Sequence, residues 1–372
     1  MRKTKVLIII DSLSYGGVNQ LVLNLLSEVD FEQYEIDIQY FEGEQNTAPE
    51  LYSAYPCKLI PIGRNHGAYL QYIKAQKLII DKGEYDVVHS HICFKGLLVL
   101  FSEKASMRRR TIIHSHYDSY PELSRYSGVV HALFRLANCT KIGCSPKAVE
   151  ALFGNDPVAF WQKNGIDVGR FAFDEVKRAN TRAELGIRPD CFTVTYVARF
   201  VYQKNHEFLI EVFEHMKKLR PESMLLLVGD GELEDGIKTL ANEKGLGDSI
   251  KFLGKRSDVD CVLNASDLQL FPTRYEGLSM GLLEDQAAGL PCLCSDVVPP
   301  EVKCTDYLML QSLNDEPAKW ALAAFDLADS ITTRRAGRGQ VQDAGFDKDT
   351  CVGETLNIYQ RIARTGTPVR RG

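Results

Sequence analysis

Three stretches of this sequence bring together residue types that can hold an anion or a polyhydroxylated ligand. In Ala198-Arg199-Phe-Val-Tyr-Gln-Lys204-Asn205-His206, a β-rich run gives way to a helix, with a planar cation and a point cation five residues apart. A guanidinium fork, an ammonium and a helix N-terminus converging on one loop suit a diphosphate. Asn205 is expected to cap that helix. The plainer reading is two solvated cations; position at the carboxyl end of a strand favours binding.

The second stretch runs from Phe271 through Glu276-Gly277-Leu278-Ser279 to Glu284 and Gly289. A strand ends, Glu276 and Gly277 turn, and a helix carries Glu284, with the amides of Gly277, Leu278 and Ser279 pointing from its start. A retaining glycosidase needs its carboxylates about 5–5.5 Å apart, whereas eight helical residues rise on the order of 12 Å. The two glutamates therefore suit the ends of one long ligand, such as the sugar and the ribose of a nucleotide sugar. Otherwise they are a dipole-favoured glutamate and a surface glutamate.

In the third stretch, Asp11-Ser-Leu-Ser-Tyr-Gly16-Gly17 leaves the first strand and opens a helix. Paired glycines there either let amides approach a phosphate or make only a tight turn. No G-x-G-x-x-G is present, which disfavours a dinucleotide. Histidines 89, 91, 114 and 116 form two H-x-H pairs at strand ends, each sharing a face. With no carboxylate cluster beside them, no metal is expected. Asp258-Val-Asp260 follows Ser257 in a Ser-x-x-Asp pattern and reads as a helix cap.

Elements of alternating type must position these residues. Strands are expected at Val6–Ile10, Glu35–Phe41, Asp86–His89, Thr111–His114 and Lys141–Cys144, with helices at Val18–Val29, Tyr69–Lys82, Lys95–Ser102 and Pro146–Phe153. The alternation pauses over the polar stretch 164–190. It restarts with strands at Phe192–Ala198, Met224–Val228, Ile250–Leu253, Leu268–Phe271 and Pro291–Ser295, separated by helices at His206–Leu219, Leu233–Lys244, Ser257–Asn264 and Ser279–Ala288. This predicts an α/β protein of two doubly wound Rossmann-like domains facing across a cleft. Residues 1–170 form the first domain and 171–350 the second. Over 351–372 a helix, with packing back on the first domain as one arrangement, ends in a frayed tail.

A chain of 372 residues is about two domains long, and 45% apolar with 25% charged residues excludes disorder, collagen and coiled coil. The net charge of −5 argues against a nucleic-acid partner. Residues 1–170 hold 19 basic and 18 acidic residues, the remainder 25 and 31. Arg108-Arg109-Arg110 suits an anionic surface or a solvated loop. No run approaches the ~18 apolar residues of a membrane span, and Asp11 ends the first apolar run too early for a signal peptide. Ten scattered cysteines without a C-x-x-C read as reduced thiols of a cytosolic protein; Cys292 and Cys294 read as core.

Together these motifs resemble the family 4 retaining glycosyltransferases. The resemblance rests on Glu276 and Glu284 with seven residues between them, Arg199 and Lys204, Val228-Gly-Asp-Gly-Glu-Leu, Gly16-Gly17, His116 ending T-I-I-H-S-H, and Asn164-Gly-Ile-Asp167. It runs from residue 5 to about 300 and is nearest the bacterial exopolysaccharide and capsule branch, which shares H-S-H and C-S-P-K-A. It implies a GT-B fold with an N-terminal acceptor domain and a C-terminal donor domain. It implies that Arg199 and Lys204 hold the diphosphate, and that Glu284 holds the ribose. Glu276 and the amides of Gly277, Leu278 and Ser279 would hold the sugar. Gly16 and Gly17 would approach the donor phosphates, and His116 the sugar near the reacting carbon.

The implied reaction is metal-independent and needs no cofactor. A hexose or related sugar moves from a UDP- or GDP-sugar to a saccharide acceptor, expected to be polyprenyl-linked, by front-face attack. The implied setting is cytoplasmic, with peripheral contact at the inner membrane face. Ser279, Met280 and Asp285 depart from the family pattern and bear on which sugar is used. Rival readings are a nucleotide-sugar epimerase of the same fold and a non-catalytic nucleotide-sugar-binding partner of another transferase. The base pocket is expected near Gly254–Asp258.

Overall fold

The computed structural model describes residues 2–63, 69–120 and 125–370. They divide into two compact units, Met1–Gly165 with Lys348–Gly372, and Ile166–Asp347.

The first unit is built on a seven-stranded sheet: β1 (Thr4–Ile9), β2 (Tyr34–Phe41), β3 (Lys58–Ile62), β4 (Val87–Ser90), β5 (Thr111–Ser115), β6 (Thr140–Gly143) and β7 (Phe160–Trp161). The order is β3-β2-β1-β4-β5-β6-β7, with every pairing parallel. Val6 to Ile10 are wholly buried, as a parallel strand covered on both faces requires. Strand order reverses between β1 and β4, so the loops after these strands line the switch point where such sheets bind ligands. Gly16-Gly17 and His91 lie on those two loops.

The second unit holds six parallel strands: β8 (Thr193–Val197), β9 (Met224–Val228), β10 (Ile250–Gly254), β11 (Leu268–Phe271), β12 (Cys292–Ser295) and β13 (Leu308–Gln311). Their order is β10-β9-β8-β11-β12-β13, and the switch point lies between β8 and β11. Arg199–Lys204 follows β8 and Glu276 follows β11. Two stretches 72 residues apart in sequence are thus brought to one place by the crossover.

The sequence expectations fail at several elements, polar and apolar. The pause over 164–190 is not a linker: it contains helices Val168–Phe171 and Glu175–Glu184, the latter capped by the Asp174 carboxylate on the amides of Val176 and Lys177. Ile166 bridges Asp347, so the units divide at 165/166 and 347/348 rather than at 170/171 and 350/351. Strands β3 and β13 and the helices Ser127–Leu136 and Pro317–Ser330 were not anticipated.

Helix Lys348–Thr365 belongs to the first unit, burying Val352, Tyr359 and Ile362 in its core. Gln162 Nε2 donates to Thr355 Oγ1 at 2.8 Å and Lys348 pairs with Glu28 at 2.6 Å. Nor are the last described residues frayed, since the Val369 amide donates to Thr140 Oγ1 at 2.9 Å. Cys292 and Cys294 are wholly buried on β12, and all ten cysteines are free thiols.

Candidate active site

In the second unit, hydrogen bonds tie the loop after β8 to the loop after β11. The Arg274 amide donates to Gln203 O at 2.8 Å, Gln203 Nε2 to Tyr275 O at 2.8 Å, and Thr273 Oγ1 to Gln203 O at 3.1 Å. Tyr196, buried on β8, donates its hydroxyl to Lys204 O at 2.9 Å. This lattice brings Lys204 Nζ onto Glu276 Oε2 in a largely buried ion pair, with the ammonium 5.1 Å from the centre of the Phe271 ring.

Arg199 is exposed and forms no ion pair among the described residues. Its loop is shaped by close backbone approach. A Cβ on Gly229 would lie 2.1 Å from Ala198 O, and one on Gly231 2.5 Å from Phe200 O. The amides of Ala198 and Phe200 donate to Val228 O and Asp230 O at 2.9 and 2.8 Å. The Val228-Gly-Asp-Gly segment therefore serves as the seat on which the Arg199 loop rests. By contrast, a Cβ on Gly16 would meet nothing within 4 Å, so packing does not demand that glycine.

Helix Met280–Ala287 begins after Ser279, whose side chain makes no cap. No described group accepts a hydrogen bond from the amides of Gly277, Leu278 or Ser279. These donors sit at the positive end of the helix beside Glu276. The carboxyl of Glu284, one turn in, has no hydrogen-bond partner among the described residues. Burial pushes its carboxyl up to about 7; Arg170 draws it down and Asp260 raises it further. The two glutamates thus have different neighbours, Lys204 for one and Arg170 for the other.

Asn205 does not cap the following helix by its side chain; it is left-handed, with φ 54°, and turns the chain into it. The Ser257 cap is also absent. Asp258 is bound by Arg256, and Asp260 by Lys177 at 2.7 Å and Arg170 at 3.1 Å, so this D-x-D is occupied by cations of its own chain. Arg170, which also donates to Ser257 O, is the neighbour of Glu284 that sequence reasoning missed; only its place beside Asn164-Gly-Ile-Asp167 hinted at it. Asp285 is 1% exposed and faces Cys292 in the core.

In the first unit the four histidines form a two-by-two array. His91 Nδ1 and His116 Nε2 are 2.8 Å apart, and His89 Nε2 and His114 Nδ1 are 3.2 Å apart. The pairs lie one over the other, with centroids 4.1 Å apart for His89–His91 and 4.2 Å for His114–His116. Tyr359 closes the row, 2.7 Å from His89 Nδ1. Burial pushes His89 and His116 down to about 3 and lowers His91 and His114 as well. Nitrogens of His89, His91 and His114 lie within 4.8 Å of one another. Within each hydrogen-bonded pair, however, the facing lone pair is engaged by its neighbour's N–H.

Two parallel-sheet α/β units, each with a switch point in its strand order, form the fold of the GT-B class of glycosyltransferases. The chain belongs to glycosyltransferase family 4: the model described as "Glycosyltransferase Family 4" matches residues 15–159 and "Glycosyl transferases group 1" matches 177–307. A Bacillus subtilis (strain 168) protein named as a glycosyltransferase, EpsF, is 29% identical over 95% of this chain and 96% of its own. The Escherichia coli UDP-Gal:alpha-D-GlcNAc-diphosphoundecaprenol alpha-1,3-galactosyltransferase is 27% identical over 59% of this chain and 60% of its own. Among solved structures, Anabaena HepE in complex with UDP and glucose superposes with TM-score 0.77 at 19% identity, covering 95% of this chain and 98% of that one. The protein is a glycosyltransferase.

Proposed function

We propose that this glycosyltransferase is a retaining, metal-independent enzyme that moves a hexose or related sugar from a UDP- or GDP-sugar to a saccharide acceptor. The single observation that carries the reading is the Lys204–Glu276 pair beside three unbonded amides, with the unpaired Arg199 on the same bonded loops. Arg199 and Lys204 receive the diphosphate, and fixed positive charge meets the negative charge that grows on it as the glycosyl bond breaks. Glu276 and the amides of Gly277, Leu278 and Ser279 hold the sugar, and Glu284 the ribose. Gly16 and Gly17, with open space before Gly16, approach the donor phosphates, and His116 approaches the sugar. Front-face attack lets the departing phosphate take the acceptor's proton and needs no protein nucleophile.

The acceptor in this reading is lipid-linked and the pathway is surface-polysaccharide synthesis. Support comes from the diphosphoundecaprenol acceptor in the Escherichia coli relative's name and from a Staphylococcus aureus relative named as a capsular polysaccharide biosynthesis glycosyltransferase. Work at the cytoplasmic membrane face follows. Support also comes from a groove edged by Arg108 and Arg109 and walled by Leu97, Leu133 and Leu136, where Phe101 is 56% and Leu136 84% exposed. Arg110 is instead drawn to Asp86 at 3.5 Å. No described helix is long and apolar enough to cross a membrane.

The test has two steps. Thermal unfolding with UDP- and GDP-sugars identifies the donor, since a bound ligand raises stability by mass action. That donor is then incubated with a polyprenyl-diphosphate saccharide after exhaustive chelation. Glycosylated lipid with the donor's anomeric configuration is expected. An epimerised donor without any acceptor product, or activity that needs an added divalent ion, would overturn the proposal.

A further inference from the structure

The histidine array holds more imidazole than contact with a sugar requires. His116 is the outermost member, with Nε2 committed to His91 Nδ1 at 2.8 Å and no described partner at its own Nδ1. Behind this pair stands the second pair, His89 and His114, with rings stacked on the first at 4.1 and 4.2 Å. Three of the four side chains are at least 95% buried. Rings stacked in this way cannot tilt singly without breaking a hydrogen bond or a packing contact.

The far end of the array is anchored. Tyr359, wholly buried on the last helix, sits 2.7 Å from His89 Nδ1. Beside His91 the chain takes a left-handed turn at Cys93, with φ 52°, whose thiol donates to the carbonyls of His91 and His114. In a neutral imidazole one nitrogen donates and the other accepts, so whatever fixes Nε2 also fixes what Nδ1 offers. A fixed Nδ1 is one pre-aimed polar group, which an unrestrained ring would offer in two forms and several orientations.

We propose that His91 is a positioning residue: its hydrogen bond to His116 Nε2, backed by the stacked His89–His114 pair and Tyr359, holds His116 in one tautomer and one plane. His116 thereby presents a single kind of group from Nδ1 to the transferred sugar. This rests on the reading that His116 meets the sugar. It assigns His91, His89 and Tyr359 no contact with the donor, and it gives the C-terminal helix a part in shaping the site of the first unit.

The experiment compares His91→Phe, which keeps a stacking ring but loses the nitrogen, with His91→Asn, whose amide sits near the place of Nδ1, and with His116→Ala. Outer partners of functional histidines typically matter by about ten- to a hundredfold. His91→Phe is expected to lower kcat by that factor with donor KM little changed, and His91→Asn to recover most of it. Unchanged kcat in His91→Phe together with a crippled His116→Ala overturns the inference and leaves the parent reading standing. Unchanged turnover in His116→Ala overturns the parent reading instead. A readout on the unaltered protein guards against misfolded variants. Histidine ¹⁵N shifts should show His116 as a single neutral tautomer between pH 6 and 8, with a coupling across the hydrogen bond to His91. Two tautomers in exchange would sink the proposal.

Discussion

Lys204 and Glu276, 72 residues apart on loops after different strands, meet as an ion pair shielded from solvent. Each is the other's only ionic partner among the described residues. In the proposed reaction a diphosphate arriving there would compete with a carboxylate already in place, and that carboxylate would be freed to accept hydrogen bonds from sugar hydroxyls. Binding would then exchange one charge pairing for another rather than strip two bare charges of water.

Lys204→Ala should lower turnover by about 10²–10³, the cost of removing one preorganised donor, equal to about 2.7–4 kcal/mol of transition-state stabilisation. The fold should survive, because the loop is held by the Tyr196, Thr273 and Gln203 hydrogen bonds, which involve no lysine side chain. Steady-state kinetics with circular dichroism checks both halves; near-normal turnover would remove Lys204 from the diphosphate site.

Arg199→Ala should weaken donor binding without lowering the unfolding temperature, since no described residue depends on its guanidinium. Arg199→Lys should recover only part of the affinity, because a point charge lacks the fork. Calorimetric titration with the nucleoside diphosphate gives the answer.

Glu284 should impose a pH dependence on donor affinity. Its carboxyl is pushed up to about 7, so it is largely protonated at pH 6 and ionised at pH 8. A carboxylate accepts ribose hydroxyls better than a carboxylic acid does, so affinity should rise as pH rises through about 7. Glu284→Gln should flatten that profile. A wild-type profile that is flat from pH 6 to 8 would contradict the assignment.

The histidine array should make the first unit acid-sensitive. Imidazoles titrate near 6.5 in the unfolded chain, while His89 and His116 are held down to about 3 in the fold. Between those limits the unfolded chain binds more protons, so stability contributed by the neutral array is full above about pH 6.5 and is lost as pH falls toward 3. Urea midpoints measured from pH 7.5 to 4.5 should fall, and less steeply for His116→Gln.

Gly229→Ala and Gly16→Ala should separate structure from function. The first sets a methyl against Ala198 O at φ 134° and should cost about 1–3 kcal/mol of stability. The second meets open space and should leave stability within about 0.5 kcal/mol, while lowering turnover if donor phosphates approach that loop. Thermal melts and assays of both variants suffice.

The alternation of buried β-rich runs with amphipathic helices was legible in the chain, because burial on both faces leaves strands such as Val6–Ile10 continuously apolar. So were Arg199, Lys204, Glu276, Glu284 and the four histidines as chemically able residues, through their types and their places at strand ends. The segment 164–190 was misread because its helices are short and polar, each capped by an aspartate and held by packing rather than by a strong apolar stripe. Its charged residues concealed Arg170, whose neighbours Ser257, Asp260 and Glu284 lie 87, 90 and 114 positions away.

Local sequence determined which groups were available and which elements carried them, since periodicity and propensity act over a few residues. Only the tertiary structure decided the partners: Lys204 with Glu276, Asp260 with two cations rather than a metal motif's role, Asp285 into the core, and Tyr359 under the histidines. Those pairings depend on strand order and register, which bring together residues separated by whole crossovers, and on desolvation, which sets the protonation of Glu284 and the histidines only after the chain has closed around them.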